Sequence, residues 1–194
     1  MKIFRLLLRV TVGVLFFGHG TQKSFGWFGG RGVDATANMF ESLGLRPGRR
    51  NAIAAGVAEA AGGAGLALGF ATPLAASVLT ATMATAVHRV HWKNGPWVTN
   101  QGYEYNLVLG VAALALAETG PGDLSLDHAL GLEQSGPAWA LLALGLGGAG
   151  AYAVFRLAQA NPPVEDSAQP TQPVQAAPGA AAGEAPVAEP VPSA

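Results

Sequence analysis

One carboxylate, Glu59, interrupts an apolar, alanine- and glycine-rich run over residues 52–70. A carboxylate in hydrocarbon costs about 2.5–3.5 kcal/mol on insertion scales. Such a residue is paired, protonated or used. Four other side chains have the types to move protons or bind a polar headgroup beside it: His19, Lys23, His88 and Glu104. Histidine suits proton exchange because its ordinary pKa is about 6.5. His19 and His88, with the aromatic residues Trp92 and Tyr103, are also the candidates for bordering a bound cofactor. His88 and His91 are three apart and share a face if a helix continues that far. With His19 and Glu104 they offer the donors of a metal or haem site. Solvated histidines at a membrane boundary are the commoner case, and no metal is expected.

The elements that must position these groups follow from hydropathy. Half the residues are hydrophobic and 12% are charged. Charge is largely expelled from five windows: residues 3–18, 52–70, 73–87, 105–117 and 137–158. A spanning helix needs about 20 mostly apolar residues. The second and fifth windows reach that; the others borrow flanking residues. Only helices and closed barrels satisfy the backbone in lipid, and the windows lack a two-residue alternation. The expected fold is therefore all-α and integral to a membrane. Lys2, Arg5 and Arg9 ahead of the first run resemble a signal peptide, but no small-residue cleavage pattern follows, so a retained first helix is expected. No cysteine is present, which excludes iron–sulfur clusters and dithiol chemistry within this chain. The basic residues form no nucleic-acid stripe.

The first helix is expected to end at Gly18–Gly20. Asp34 then reads as the N-cap of a short interfacial helix with Val33, Ala37, Phe40 and Leu43 on one face. Ala71-Thr72-Pro73 makes the second and third helices a tight antiparallel hairpin. Gly65 and Gly69 form a small-xxx-small pair, with Gly62 and Gly63 thinning the same region. Ser135 and Pro137 read as N-cap and N1 of the last helix. Beyond Asn161 the composition collapses to Ala, Pro, Gln and Glu, which suits a disordered tail.

A serpentine path gives the loops after the first and third helices one common face, here the near face. It carries His19, Lys23, His88, Arg89, His91, Lys93 and Glu104 with most of the boundary aromatics; the far face is expected to be sparse. Glu59 lies roughly 10 Å inside the near face and Arg9 roughly 13 Å, which allows a buried pair between them. In the alternative, Arg9 snorkels to the far face. The positive-inside rule makes the near face cytoplasmic, with Lys2 and Arg5 pulling the other way.

The stretch Gly18-His19-Gly20-Thr21-Gln22-Lys23-Ser24-Phe25-Gly26 resembles the end of the first helix in the DoxX family. Glu59 with Gly62-Gly63 and Leu68-Gly69 resembles that family's second helix. Ala86-Val87-His88, Gly102-Tyr103-Glu104-Tyr105-Asn106-Leu107, and Gly120-Pro121-Gly122 with Ser125-Leu126-Asp127 follow in the family's order. The resemblance covers roughly residues 3–130 and implies a four-helix membrane core (1–130). A further helix (131–160) and a Pro/Ala tail (161–194) depart from it. It also implies small bacterial membrane proteins, linked to the membrane subunits of thiosulfate–quinone oxidoreductase and to oxidative-stress complexes; the Ala/Gly-rich helices suit a bacterial plasma membrane.

Three functions compete. The first is an accessory subunit of a redox complex, handling a quinone and relying on a protein partner for electrons. The second is a non-catalytic scaffold that recruits a soluble enzyme through the near-face loops and tail. The third is a small-solute transporter lined by Glu59 and Arg9, which would need to be a homo-oligomer.

Overall fold

A computed structural model describes residues 2–161, apart from the Lys2 side chain; the tail expected to be disordered lies outside the described residues but for Asn161. Among the described residues seven α-helices follow one another: α1 (Lys2–Phe25), α2 (Gly32–Ser42), α3 (Gly48–Leu68), α4 (Thr72–Ala86), α5 (Glu104–Thr119), α6 (Leu126–Ala129) and α7 (Pro137–Gln159). No strand occurs among the described residues. α4 runs directly into a π-helical turn, Val87–His91.

Three helices are long and apolar enough to cross a membrane: Ile3–Phe25, Gly48–Leu68 and Pro137–Gln159. Their outward faces are bare of protein. Ile3, Leu7 and Val14 on α1, Val57 on α3, and Leu141 and Leu146 on α7 are all exposed. Exposed aliphatic side chains on long helices are what acyl chains would cover. The interior is a single cluster that includes Val12, Phe16, Leu66, Leu79, Leu109 and Leu116.

The closest packing joins α1 to α3 and α4 to α7. Between α1 and α3 the backbones touch at glycines. A Cβ on Gly13 would fall 2.5 Å from the Ala67 nitrogen, one on Gly20 would fall 2.6 Å from the Gly56 carbonyl oxygen, and one on Gly63 would fall 2.6 Å from the Gly13 carbonyl oxygen. Gly13 and Gly20 are one heptad apart, as are Gly56 and Gly63. The pairing therefore repeats down one antiparallel seam, in which van der Waals contact between backbones replaces side-chain burial. This seam, and not Gly65 with Gly69, is the small-residue interface. Gly69 stands outside the helix in the left-handed region at φ 63°, and its hydrogen faces the Arg9 guanidinium.

The same seam explains why α1 does not stop at Gly18–Gly20. Gly20 is where α1 approaches α3, and the Thr21 hydroxyl returns to the carbonyls of Phe17 and Gly18 at 3.1 and 2.9 Å. The helix reaches Phe25. Two caps also differ from expectation. Asp34 lies within the first turn of α2, which starts two residues earlier, and pairs with Arg49. Gly136, whose backbone suits no other residue easily at φ 107°, takes the cap of α7 in place of Ser135, with Pro137 following at N1.

Candidate functional site

The extra turn of α1 delivers Lys23 to Glu59. Gly13 faces Ala67, Gly20 faces Ala60 and Gly56 faces Ser24. By that register Glu59 is level with the turn of α1 that carries Lys23, while Arg9 is level with the hairpin after α3. The Lys23 Nζ stands 2.5 Å from the Glu59 Oε2. The Glu59 side chain is 6% exposed and that of Lys23 25%. The expected Arg9–Glu59 pair is therefore replaced by Lys23–Glu59. The replacement follows from helix length: with α1 ended at Gly20, Lys23 would have been in a loop.

His19 lies one turn before Lys23 on α1 and is half-buried. Its ring is oriented by a short chain of hydrogen bonds. Gln22 Nε2 donates to the Phe28 carbonyl at 3.2 Å, which turns Gln22 Oε1 toward His19 Nδ1 at 3.0 Å. An amide oxygen accepts only, so Nδ1 carries the proton. That leaves Nε2 as the acceptor, facing the Tyr105 hydroxyl at 3.5 Å, with the two rings edge to face. Tyr105 projects from the first turn of α5 and is 40% exposed. The Lys23 Nζ also lies 3.5 Å from the His19 carbonyl oxygen, so the Lys23–Glu59 pair and the His19–Tyr105 pair are carried by adjacent turns of α1. A half-exposed phenol, an oriented imidazole and an ion pair together can donate, accept and relay protons.

The remaining candidates stand apart. His88 and Arg89, on the π turn, pack on Phe155 of α7, with the His88 ring 4.5 Å from it. His91 Nδ1 donates to the Gln101 carbonyl at 2.6 Å. The Glu104 carboxylate accepts from the Val98 nitrogen at 2.6 Å and closes the loop ahead of α5. Trp92 stacks on Tyr103 with ring centroids 5.6 Å apart. His19, His88, His91 and Glu104 therefore do not converge. Among the described residues no three His, Asp or Glu side chains are placed to hold a metal ion.

The far face, expected to be sparse, holds the most heavily bonded charges in the molecule's described part. Arg9 is 2% exposed. Its guanidinium donates to the carbonyls of Ala67 at 3.2 Å, Leu124 at 2.5 Å and Pro121. Asp127, also 2% exposed, accepts from the Ala71 nitrogen at 2.8 Å, the Thr72 nitrogen at 3.1 Å and the Thr72 hydroxyl at 2.9 Å. It caps α4 from 55 residues away. Ala71, at φ 47°, holds a left-handed conformation that this carboxylate secures. Arg9 does reach the far face, as the alternative had it, but into carbonyls and not into water. Arg9 and Glu59 consequently line no common path.

Comparison with known proteins agrees with this architecture. The DoxX family model matches residues 4–92. Over 126 residues the chain is 34% identical to a Bacillus subtilis (strain 168) protein named "Putative oxidoreductase CatD", an alignment that takes in 65% of this chain and 86% of that protein. Over 133 residues it is 33% identical to "Inner membrane protein YphA" of Escherichia coli (strain K12), covering 65% of this chain and 89% of the relative. No solved structure matches it. The apolar helices, the near-end His19–Lys23–Glu59 cluster and these similarities lead to one conclusion: the chain is a membrane protein that belongs to the DoxX family.

Proposed function

We propose that this protein is an accessory subunit of a redox complex in a bacterial plasma membrane, where it exchanges protons with a quinone at the near end of the bundle. The observation that carries the reading is the orientation of His19. Gln22 holds its proton on Nδ1, so Nε2 is the basic atom, and that atom faces Tyr105 at the bundle surface. A quinone headgroup reduced there takes up two electrons and two protons. The Tyr105 hydroxyl and the His19 imidazole are suited to passing the protons. Lys23 and Glu59 lie behind them as a charged reservoir. The electrons come from a partner protein, because this chain has no cysteine for a cluster or a dithiol. The name of the Bacillus subtilis relative, "Putative oxidoreductase CatD", points to the same class of chemistry.

The test is isolation in mild detergent, followed by mass spectrometry of lipoquinones and co-purifying proteins. Quinone retained by the native protein and lost from His19→Ala supports the reading. A preparation with neither quinone nor a redox partner overturns it.

Exposed aromatics favour a second reading. Trp27, Phe28, Trp92 and Trp97 are 53–73% exposed in loops at the near end. They would serve a scaffold that docks a soluble enzyme. A partner captured equally by the native protein and by His19→Ala, with no quinone in either, would select that reading.

A further inference from the structure

Among the described residues Arg89 is a cation without an acceptor. It sits on the π turn at the end of α4, opposite the hairpin held by Asp127. Its guanidinium lies over the Phe155 ring of α7, 5.3 Å from the centroid. On another side Nη1 reaches the connection between α2 and α3, 4.0 Å from where a Cβ on Gly44 would stand. Nε is buried and has no hydrogen-bond partner. Glu41, near Gly44 in the chain, is already engaged: one oxygen accepts from the Gly48 nitrogen at 2.5 Å, and the other pairs with Arg46 Nε at 3.0 Å. The guanidinium thus lies between α7 and the α2–α3 connection, and among the described residues no acceptor reaches its Nε.

An unmet buried donor is costly, and here it belongs to a side chain that is itself only partly buried, so the group is built for a ligand or tolerated at a loss. A planar fork fits two oxygens of a phosphate better than it fits any neutral group. The His88 ring packs on the same Phe155 side chain at 4.5 Å and is exposed, so it offers a second donor. The place also fits. The π turn lies at the end of a helix packed against α7, a helix long and apolar enough to cross a membrane, and near that helix's C-terminal end. Basic residues exceed acidic ones on this face, which attracts anionic lipid.

We propose that Arg89, with His88, binds the phosphate of an acidic phospholipid headgroup between α4, α7 and the α2–α3 connection. The site is separate from the His19 cluster and does not depend on the quinone reading.

Delipidated full-length protein in a neutral detergent tests it, titrated with short-chain phosphatidylglycerol, phosphatidylcholine or inorganic phosphate and read by native mass spectrometry and thermal unfolding. The native protein is expected to bind phosphatidylglycerol at least about tenfold more tightly than phosphatidylcholine, a factor set by one charge-assisted contact. R89Q should erase that preference. R89K keeps the charge and the packing stem but loses the fork, so it should fold and lose most of the preference. R31Q, which removes an exposed charge elsewhere on the face, should change nothing. Inorganic phosphate competing as strongly as the lipid would support the phosphate site and move its source to solution. Equal binding of the two lipids by the native protein, or an unchanged preference in both Arg89 variants, would overturn the proposal.

Discussion

Lys23 on α1 and Glu59 on α3 form an ion pair at 2.5 Å, the carboxylate almost fully enclosed and the lysine a quarter exposed. The asymmetry predicts unequal costs. Lys23→Met strands a buried carboxylate, which costs about 3–5 kcal/mol when a buried pair is broken. Glu59→Gln leaves a lysine that can bend its stem toward water, and should cost less. Thermal unfolding in detergent is expected to rank native, Glu59→Gln, then Lys23→Met. The reverse order would mean that Lys23, not Glu59, is the enclosed charge.

The glycine seam sets a second expectation. Gly20→Ala and Gly63→Ala place a methyl against backbone that cannot give way, and each should destabilise by about 3 kcal/mol or more through overpacking. Gly148→Ala, on the open face of α7 with nothing within 4 Å, should be neutral or stabilise by about 0.5–1 kcal/mol through helix propensity. Equal effects at the three positions, read by denaturation midpoint, would show that α1 and α3 are not in backbone contact.

Asp127 holds the α3–α4 turn by three hydrogen bonds. Asp127→Ala leaves the buried Thr72 N–H without an acceptor, at about 1–3 kcal/mol, and the partly exposed Ala71 N–H to water. Asp127→Asn keeps one oxygen and should lose roughly half as much. Hydrogen exchange at Ala71 and Thr72 is expected to accelerate in both variants, most in Asp127→Ala. Unchanged protection would remove the carboxylate from the turn.

These contacts differ in how far they were legible beforehand. The apolar windows are long, so hydropathy finds the helices, and Glu59 stands out because it breaks one. The residues meeting at the near end are a different matter. His19 and Lys23 were recognisable as candidates, but Gly18 and Gly20 read as a helix end. Glycine is a weak helix former, and its use for close approach shows only when a partner segment is laid beside it. The heptad glycines of α1 and α3 sit in separate segments, so neither pattern is conspicuous alone. Asp127 was invisible as a cap because local rules look three residues ahead, and its helix begins 55 residues earlier. Arg9 stands farther from the near face than helix rise counted from Gly18 gives, because α1 runs on to Phe25, and two of the carbonyls that collect it, those of Pro121 and Leu124, come from a connection more than a hundred residues away.

Tyr105 stands in the sequence only as one residue of the motif ahead of α5, yet its hydroxyl and ring meet His19. Tyr105→Phe removes the hydroxyl and leaves the ring contact. Quinone affinity is expected to fall about tenfold with unfolding temperature unchanged, since a single hydrogen bond is lost. An equal loss of both would mark Tyr105 as structural.

The central claim is that the near end of the bundle handles a quinone through His19. The most direct measurement is the quantity of lipoquinone per protein in matched detergent preparations of the native chain and of His19→Ala, with circular dichroism to confirm equal folding. The account predicts near-stoichiometric quinone in the native protein and little in the variant. Equal amounts in both, or none in the native protein, would contradict it.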